Sequence, residues 1–224
     1  MAAAVAAPER FGMATGSYEA ERDDWRAAVE RAAAEGFSSI ELTAIREKLL
    51  ATLDDFLYSP HAALLAAFTR VSVHAPVRFE STRGDVVAQV ARHAYDVILH
   101  PDVYAGEPAV AALGGQAVFE NMDPAKAFGR TSEDLRATFE RFPEAGFCLD
   151  VAHVWANDPT LELGFRLLDE HGDRLRQCHV SGIERDGTHR PLTDRDLEAY
   201  EPLLARCPDV PLLLESVVAG AAAA

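Results

Sequence analysis

The sequence predicts an α/β protein in which residues 1–224 form a single, compact (β/α)8 barrel. Short apolar runs alternate with amphipathic helical patterns from end to end, and no linker-like stretch divides the chain. Six of the runs end in His, Asp or Glu, and successive end residues are 20 to 36 positions apart. That spacing is close to the roughly 30 residues of one strand-plus-helix unit. The chain has no Gly-x-Gly-x-x-Gly or phosphate-loop motif, which argues against an open nucleotide-binding sheet.

Each predicted element follows from a local pattern. The helix over 23–35 has apolar residues at helical spacing and ends at Gly36, and the helical region over 47–69 is interrupted at Pro60. The Ala-rich tail predicts a short or incomplete last helix, and the chain is shorter than the roughly 250 residues typical of this barrel. Strands are predicted at 11–14, 37–43, 71–74, 96–100, 116–121, 146–151, 175–181 and 210–215, and further helices at 84–95, 132–141, 161–171 and 194–206.

The composition is that of an acidic globular protein. Its 36 Asp and Glu residues against 21 Lys and Arg give a formal net charge of −15. An acidic field repels phosphate backbones, which argues against DNA as a partner. Three cysteines without a Cys-x-x-Cys motif and an N-terminus without a signal-peptide pattern predict a reduced, cytoplasmic protein. No apolar run approaches the roughly 18 residues of a membrane span, so no membrane association is expected.

Metal-binding side chains end most of the predicted strands. The carboxyl ends of parallel barrel strands open on one face, so these side chains are expected to converge there. Buried acids rarely lack a partner, and a cation would hold several of them together with imidazoles. The sequence therefore predicts a metal site at the barrel mouth. The strand-end residues are His74, His100, Glu120, Asp150, His179 and Glu215.

Several further residues belong to the predicted mouth. His153 follows Asp150 by three positions, and His189 lies in the loop after the seventh strand. Glu41 ends the second strand, where it is expected either to bind substrate or act as a base, or to orient a ligand through a hydrogen bond. Arginines in loops after strands are able to hold a phosphate, although most arginines are solvated. These arginines are Arg46, Arg78, Arg185 and Arg190. The other three histidines, His61, His93 and His171, are expected at the surface.

The order and spacing of these residues resemble the xylose-isomerase-like TIM barrel superfamily, and within it apurinic endonuclease family 2, the endonuclease IV-like type. The resemblance covers nearly the whole chain. Its motifs are VHAP at 73–76, HP at 100–101, FEN at 119–121, LDVAH at 149–153, HVS at 179–181 and LES at 214–216.

The endonuclease IV-like resemblance implies a site for three metal ions. The family completes the third site with an Asp at a position that is Gly187 in this chain, so two or three ions, Zn or Mn, are expected. By the resemblance, the first ion is bound by His74, His100 and Glu120; the second by Glu120, Asp150, His179 and Glu215; and the third by His153 and His189.

Two enzyme classes remain open at this point. The first is a metal-dependent hydrolase that cleaves a phosphodiester in a small molecule or cofactor, since closely spaced cations activate water and clamp phosphate. The loop over 179–189 is also similar to that of cobamide-remodelling phosphodiesterases in the superfamily. Either class predicts a small-molecule substrate, and a phosphorylated one is expected. The candidate catalytic residues are Glu120, Glu215 and Glu41.

The alternative is a sugar or sugar-phosphate isomerase or epimerase. That branch of the superfamily uses one divalent ion, and its two glutamates shuttle protons on and off a carbon beside a carbonyl. Its ligands match Glu120, Asp150, His179 and Glu215, and a histidine matching His153 contacts the sugar. Because that branch does not need His74, His100 or His189, their presence favours the hydrolase at the sequence level. A non-catalytic, metal-dependent binding module is a third interpretation.

Overall fold

Eight parallel strands form a closed barrel in the computed structural model, which describes residues 10–184 and 187–216. The barrel strands are β1 (Phe11–Ala14), β2 (Ser39–Thr43), β3 (Arg70–His74), β4 (Asp96–Leu99), β5 (Ala117–Glu120), β6 (Gly146–Asp150), β7 (Leu175–Val180) and β10 (Leu212–Leu214). A separate antiparallel hairpin is formed by β8 (Gly182–Ile183) and β9 (His189–Arg190). The order around the barrel is β1, β10, β7, β6, β5, β4, β3 and β2. The predicted (β/α)8 barrel is confirmed.

Helices cover the outside of the barrel. Thr82, Thr131 and Thr193 each begin a helix through a capping box, in which the threonine hydroxyl and a carboxylate three residues later satisfy exposed backbone N–H groups. The α-helices are α1 (Trp25–Ala34), α2 (Lys48–Leu57), α3 (Arg83–Val90), α4 (Pro101–Tyr104), α5 (Ser132–Arg141), α6 (Val151–Asn157), α7 (Glu162–His171) and α8 (Asp194–Leu204). Shorter 3₁₀ segments lie at Thr15–Ser17, Pro60–Ala67, Pro108–Gln116 and Gly172–Arg174.

Strand alternation places polar side chains inside the barrel and apolar ones under the helices. In β5, Phe119 lies outward, with its ring 5.4 Å from that of Phe142 at the end of α5, whereas Val118 packs with the inward Ile98 and Cys148. Because side chains alternate with period two, Glu120 has the same inward direction as Val118. The same register brings Asp150 beside His179 and Thr43 beside His74, so the strand ends lie side by side.

The approach of β1 to its neighbours depends on a glycine. A Cβ at Gly12 would lie 2.5 Å from Leu213 Cδ1 and 2.8 Å from the Ser39 carbonyl oxygen. Any side chain there would push β1 away from β2 and β10, between which it completes the barrel.

The structure differs from the sequence prediction in the connections. A short α4 and the 3₁₀ segment Pro108–Gln116 link β4 to β5, where no helix was predicted, and Gly114 in that segment has φ of +52°. The predicted break at Pro60 is confirmed. The predicted short or incomplete last helix falls on residues 217–224, which lie outside the described residues.

Two histidines predicted at the surface are buried. His93 is 9% exposed because its Nε2 lies 2.6 Å from Asp54 Oδ1 on α2, a pairing between distant segments that the sequence does not reveal. His171 is 5% exposed, with its ring 5.0 Å from that of Phe139. His61 is exposed, as predicted. The three cysteines are buried free thiols, and none of the helices that the structure describes combines the length and apolarity needed to cross a membrane.

Candidate metal centre

All eight residues predicted as metal ligands come together at one end of the barrel. They fall into overlapping groups in which every ligand atom lies within 4.8 Å of the others. Glu120 and Asp150 each belong to two of these groups, so the groups are contiguous. Three groups consist only of predicted ligands: His74, His100 and Glu120; Glu120, Asp150, His179 and Glu215; and Asp150, His153 and His189. A fourth group joins Glu41 to His74 and Glu215.

Four residues form the central group, which we call the quartet: Glu120, Asp150, His179 and Glu215. His179 Nδ1 lies 3.2 Å from Glu120 Oε1 and 3.4 Å from Glu215 Oε2. A bond of about 2.0 Å to a tetrahedral metal ion separates neighbouring ligand atoms by about 3.3 Å. Glu120, His179 and Glu215 are therefore already near the spacing that one divalent ion requires, and the Asp150 oxygen lies within 4.8 Å of all three.

A pair of histidines lies on the other side of Glu120. His74 Nε2 and His100 Nε2 are 3.6 Å and 3.4 Å from Glu120 Oε2, an oxygen that has no hydrogen-bond partner within the described structure. His74 Nδ1 donates to the Ala75 carbonyl at 2.9 Å, which leaves Nε2 as the nitrogen directed toward Glu120. Glu120 thus has one oxygen beside His179 and the other beside two imidazoles, the geometry of a bridging carboxylate.

The third group contains two imidazole nitrogens that face each other. His153 Nδ1 donates to the Asn121 carbonyl at 2.8 Å, and the nearest acceptor for His189 Nδ1 is the Glu215 carbonyl at 3.4 Å. Both Nε2 atoms then carry lone pairs, yet they are 3.1 Å apart. Two acceptors at that distance need a cation or a proton between them. The arrangement fits two ligands of one ion.

Asp123 occupies the space beside Gly187, the position where the endonuclease IV-like type has an aspartate. Gly187 has φ of +86°, and a Cβ built on it would lie 2.6 Å from Asp123 Oδ1. Asp123 is 5% exposed and follows Glu120 by three positions, and no pattern in the sequence distinguishes it. A carboxylate from the loop after β5 therefore lies against Gly187, and it lines the same cavity as His153 and His189.

Glu41 is buried below the quartet rather than at the cavity. Its Oε2 accepts hydrogen bonds from His179 Nε2 at 2.9 Å and from Gln177 Nε2 at 2.7 Å, and the residue is 0% exposed. This contact fixes the His179 ring with Nδ1 directed at Glu120 and Glu215. Of the two roles predicted for Glu41, its geometry fits the orienting role.

Asn121 is a residue of the site that sequence reasoning did not select. Its side chain accepts from the Asp150 backbone N–H at 2.8 Å and donates to the Asp150 carbonyl at 2.9 Å. Asp150 itself caps α6 by accepting from the His153 N–H through Oδ1, which leaves Oδ2 buried and unpartnered. Asn121 and the cap together fix the direction of the ligand oxygen. The only sequence signal for Asn121 is its place directly after Glu120.

The crowding of charge perturbs the acids and bases of the site. Burial alone would raise the pKa of Glu120, but the imidazoles of His179, His100 and His74 hold it well below its usual value. The pKa of Asp150 is raised well above its usual value, first by burial and then by the Glu120 carboxylate. Burial alone would lower the pKa of His74, yet the adjacent Glu120 carboxylate and the carboxylates of Glu41 and Glu215 raise it to about 9.

The donor set fits a divalent metal ion. Glu120 Oε2 and Asp150 Oδ2 are buried oxygens without a hydrogen-bond partner among the described residues, and both point into the ligand groups. Unpartnered buried carboxylate oxygens are costly unless a cation satisfies them. Mixed imidazole and carboxylate ligands suit Zn, Mn, Fe or Co.

A cavity of about 530 Å³ opens above the ligand groups. Its volume lies within the roughly 300–1,000 Å³ range of small-molecule sites. Of the arginines predicted near the mouth, Arg46 and Arg78 line this cavity. Arg190 instead pairs with Asp196 through two contacts of 2.7 Å, and Arg185 lies outside the described residues.

Solved structures resemble the fold over nearly its whole length. A D-tagatose 3-epimerase-like protein shares 15% sequence identity at a TM-score of 0.60, and the match covers 94% of this chain and 91% of that one. The D-psicose 3-epimerase of Clostridium cellulolyticum H10, solved with D-tagatose, shares 12% identity at a TM-score of 0.63, with 94% and 86% covered. A D-psicose 3-epimerase solved with D-fructose shares 13% sequence identity at a TM-score of 0.57, and the match covers 95% of this chain and 86% of that one. No protein-family model matches the sequence, and no curated protein matches it.

At these identities the likeness establishes the fold. That fold is the barrel that the sequence predicts. The endonuclease IV-like type is not confirmed, because the resembling structures are ketose epimerases.

Proposed function

We propose that this protein is a divalent-metal-dependent isomerase or epimerase that acts on a sugar, at a carbon next to its carbonyl group. Between the two enzyme classes that the sequence leaves open, resemblance to ketose 3-epimerases favours this one over the phosphodiester hydrolase. The observation that carries the proposal is the quartet, because it combines two glutamates with a histidine and an aspartate around one position for a metal ion.

The residues of the quartet suit proton transfer beside a carbonyl. A divalent ion bound there supplies Lewis acidity that polarises the carbonyl group. Glu215 lines the cavity with a side chain that is 13% exposed, so its carboxylate is accessible to a substrate carbon. Glu120, 1% exposed, lines the same cavity, with its Oε1 3.2 Å from the His179 Nδ1 that Glu215 also contacts. Glu215 accepts a proton from one face of the sugar carbon, and a proton is returned through Glu120 to the other face. The two carboxylates regain their starting protonation by exchange with solvent, and His153 Nε2 holds a sugar hydroxyl.

Conversion of free ketoses tests this proposal. Manganese-loaded protein is incubated with D-tagatose, D-fructose or D-psicose, and the products are separated by chromatography. We expect the epimer at carbon 3, and we expect Glu215→Gln to lower the rate by roughly 100-fold or more, since acid–base residues contribute on that order. Glu201→Gln, an exposed glutamate on α8, is the matched control. Loss in both variants contradicts the proposal, and so does a parent protein that converts neither these ketoses nor D-fructose 6-phosphate.

A second candidate function rests on the two ligand groups that sugar chemistry does not need. His74 and His100 face one oxygen of Glu120, and His153 and His189 face each other at 3.1 Å. Ligands for additional ions adjoining the quartet are the geometry of a multi-metal phosphodiester hydrolase. This candidate predicts two or three metal ions per chain, whereas the proposed function needs one.

The double variant His74→Ala/His100→Ala separates the two candidates. If the protein is an epimerase, the variant keeps the quartet, and we expect its rate of ketose conversion to fall by no more than about tenfold. Losing groups that only support a metal site lowers activity by about tenfold or more, and tenfold is the lower end of that range. If it is a hydrolase, the same variant loses the hydrolysis of bis(p-nitrophenyl) phosphate. Elemental analysis of the parent and the double variant shows how many ions each binds.

A further inference from the structure

Four basic side chains line the cavity of a protein whose net charge is −15. Each is on a loop that follows the carboxyl end of a strand: β1, β2, β3 or β5. Metal-binding residues form the floor of the same cavity, so the basic residues stand between the metal centre and solvent. We call this set the cationic rim. Its members are Arg22, Arg46, Arg78 and Lys126.

Arg46 and Arg78 are held side by side by the backbone. The loops after β2 and β3 continue the parallel pairing of those strands, with a bridge between Arg46 and Arg78. Val77 N–H donates to the Ile45 carbonyl at 3.1 Å, and Glu47 N–H donates to the Arg78 carbonyl at 3.0 Å. Paired strands lie about 4.8 Å apart, so two guanidinium groups rise from neighbouring points on the rim.

Most of the positive charge on this rim is not neutralised by the protein. Arg46 pairs with Asp23 at 3.0 Å, at an exposed site where such pairs contribute little. Arg22, Arg78 and Lys126 have no carboxylate within ion-pair distance among residues 10–184 and 187–216. In a chain with 36 acidic residues, unpaired cations gathered on one cavity need an explanation.

We infer that the sugar substrate carries a phosphate group, which Arg46 and Arg78 bind at the rim while the metal centre binds the carbonyl end. The inference rests on the proposed function, because it names the substrate class of the same site. A guanidinium presents parallel N–H donors that match the oxygens of a phosphate, and two adjacent ones bind it more strongly than one. Lys126 and Arg22 add further positive charge to the same rim. A neutral ketose would leave all four cations without a partner.

Binding measurements test the phosphate site independently of turnover. Titration calorimetry on manganese-loaded protein compares D-fructose 6-phosphate, D-fructose and D-fructuronate, a ketose that carries a carboxylate instead. We expect D-fructose 6-phosphate to bind at least about tenfold more tightly than D-fructose, since charge-assisted hydrogen bonds to an arginine are each of that order. Equal binding of phosphorylated and free sugar overturns the inference. Equal binding of D-fructose 6-phosphate and D-fructuronate overturns it in favour of a carboxylate.

Variants of the rim locate the phosphate. Arg78→Ala is expected to remove most of the preference for D-fructose 6-phosphate over D-fructose, and Arg46→Ala to reduce it. Arg26→Ala is the matched control, because Arg26 is an exposed arginine on α1 that pairs with Glu30 and lies away from the cavity. A preference that survives both rim variants places the phosphate on the metal ions and overturns the inference.

The failure of the inference is distinguishable from that of the proposed function. If free and phosphorylated ketoses are both epimerised and both bind equally well, the phosphate site is wrong and the epimerase stands. If D-fructose 6-phosphate binds in an Arg78-dependent manner but neither sugar is converted, the phosphate site stands and the proposed reaction is wrong.

Discussion

At the scale of single residues, the site depends on which nitrogen of each histidine is already occupied. His179 donates from Nε2 to Glu41 and directs Nδ1 at the quartet, whereas His74 and His153 donate from Nδ1 and direct Nε2 at the cavity floor. These hydrogen bonds fix which nitrogen of each ring faces the ligand groups, and a metal ion would take the place of a proton on that nitrogen. The sequence shows that histidines end the strands, but the contacts that orient their rings depend on the folded barrel.

Glu120 is expected to be the most sensitive residue of the centre. Its two oxygens face separate ligand groups, so Glu120→Ala removes a ligand from both. We predict that this variant folds, binds less metal and loses activity by roughly 100-fold or more. Metal content by elemental analysis, activity and circular dichroism are measured together.

His189→Ala provides the comparison for Glu120→Ala. His189 belongs to one ligand group and its side chain is 27% exposed, so its loss is expected to affect metal content less. Equal loss of metal from the two variants would show that Glu120 does not have the central position assigned to it.

Restoring the aspartate of the endonuclease IV-like type at Gly187 is expected to destabilise the protein. A residue other than glycine there has to adopt a left-handed backbone conformation, which costs about 1–2 kcal/mol. Its Cβ would also lie too close to Asp123 Oδ1. Gly187→Asp should therefore lower the free energy of unfolding, measured in urea. The matched control is Gly106→Asp, because nothing lies within 4 Å of a Cβ at Gly106. Equal stability of the two variants would contradict the close packing of Asp123 on Gly187.

At the scale of elements, the strands were predicted more accurately than the connections. The helix Ser132–Arg141 begins and ends as predicted, because Thr131 caps it and its apolar positions have helical spacing. The hairpin of β8 and β9 was not predicted, since each of its strands has only two residues and no alternation can be recognised. That hairpin brings His189 over the barrel mouth, so its presence determines the third ligand group.

The hairpin is attached to α8 through an ion pair that should be lost in acid. Arg190 contacts Asp196 twice at 2.7 Å, and although burial opposes it, the Arg190 and Thr193 hydrogen bonds lower the pKa of Asp196 from 3.8 to about 2. A carboxyl group whose pKa is lower in the folded protein than in the unfolded one stabilises the fold at pH values above the unfolded pKa. That stabilisation is lost as the pH falls from about 4 toward 2. The shift corresponds to about 2 kcal/mol at neutral pH.

Asp196→Asn tests this attachment. We expect the variant to be less stable than the parent by about 2 kcal/mol at pH 7, with the difference closing as pH falls toward 2. Urea unfolding followed by circular dichroism at several pH values measures it. Asp194→Asn, an exposed aspartate in the first turn of the same helix, serves as the control. A difference that is independent of pH would mean that the Asp196 charge does not stabilise the hairpin.

At the scale of the whole molecule, the fold was predictable because eight apolar runs at one-unit spacing leave few arrangements other than a closed parallel barrel. The convergence of His74, Glu120, Asp150 and Glu215 followed from that fold, since all strands end on one face. The reaction did not follow, because one barrel supports many chemistries and the same ligands suit a hydrolase and an epimerase. Neither Asp123 nor the backbone pairing of Arg46 with Arg78 was recognisable from local sequence, since both depend on loop contacts.

The proposed proton transfer is measured by solvent hydrogen exchange at the substrate carbon. Manganese-loaded protein is incubated with D-tagatose in deuterium oxide, and the sugar is followed by proton NMR. We propose that Glu215 and Glu120 move a proton at the carbon beside the carbonyl. We therefore predict that the carbon 3 proton signal is lost as deuterium enters there, and that Glu215→Gln prevents this loss. If the carbon 3 proton is retained in both D-tagatose and D-fructose 6-phosphate in the presence of protein shown to bind metal, the proposed proton transfer is contradicted.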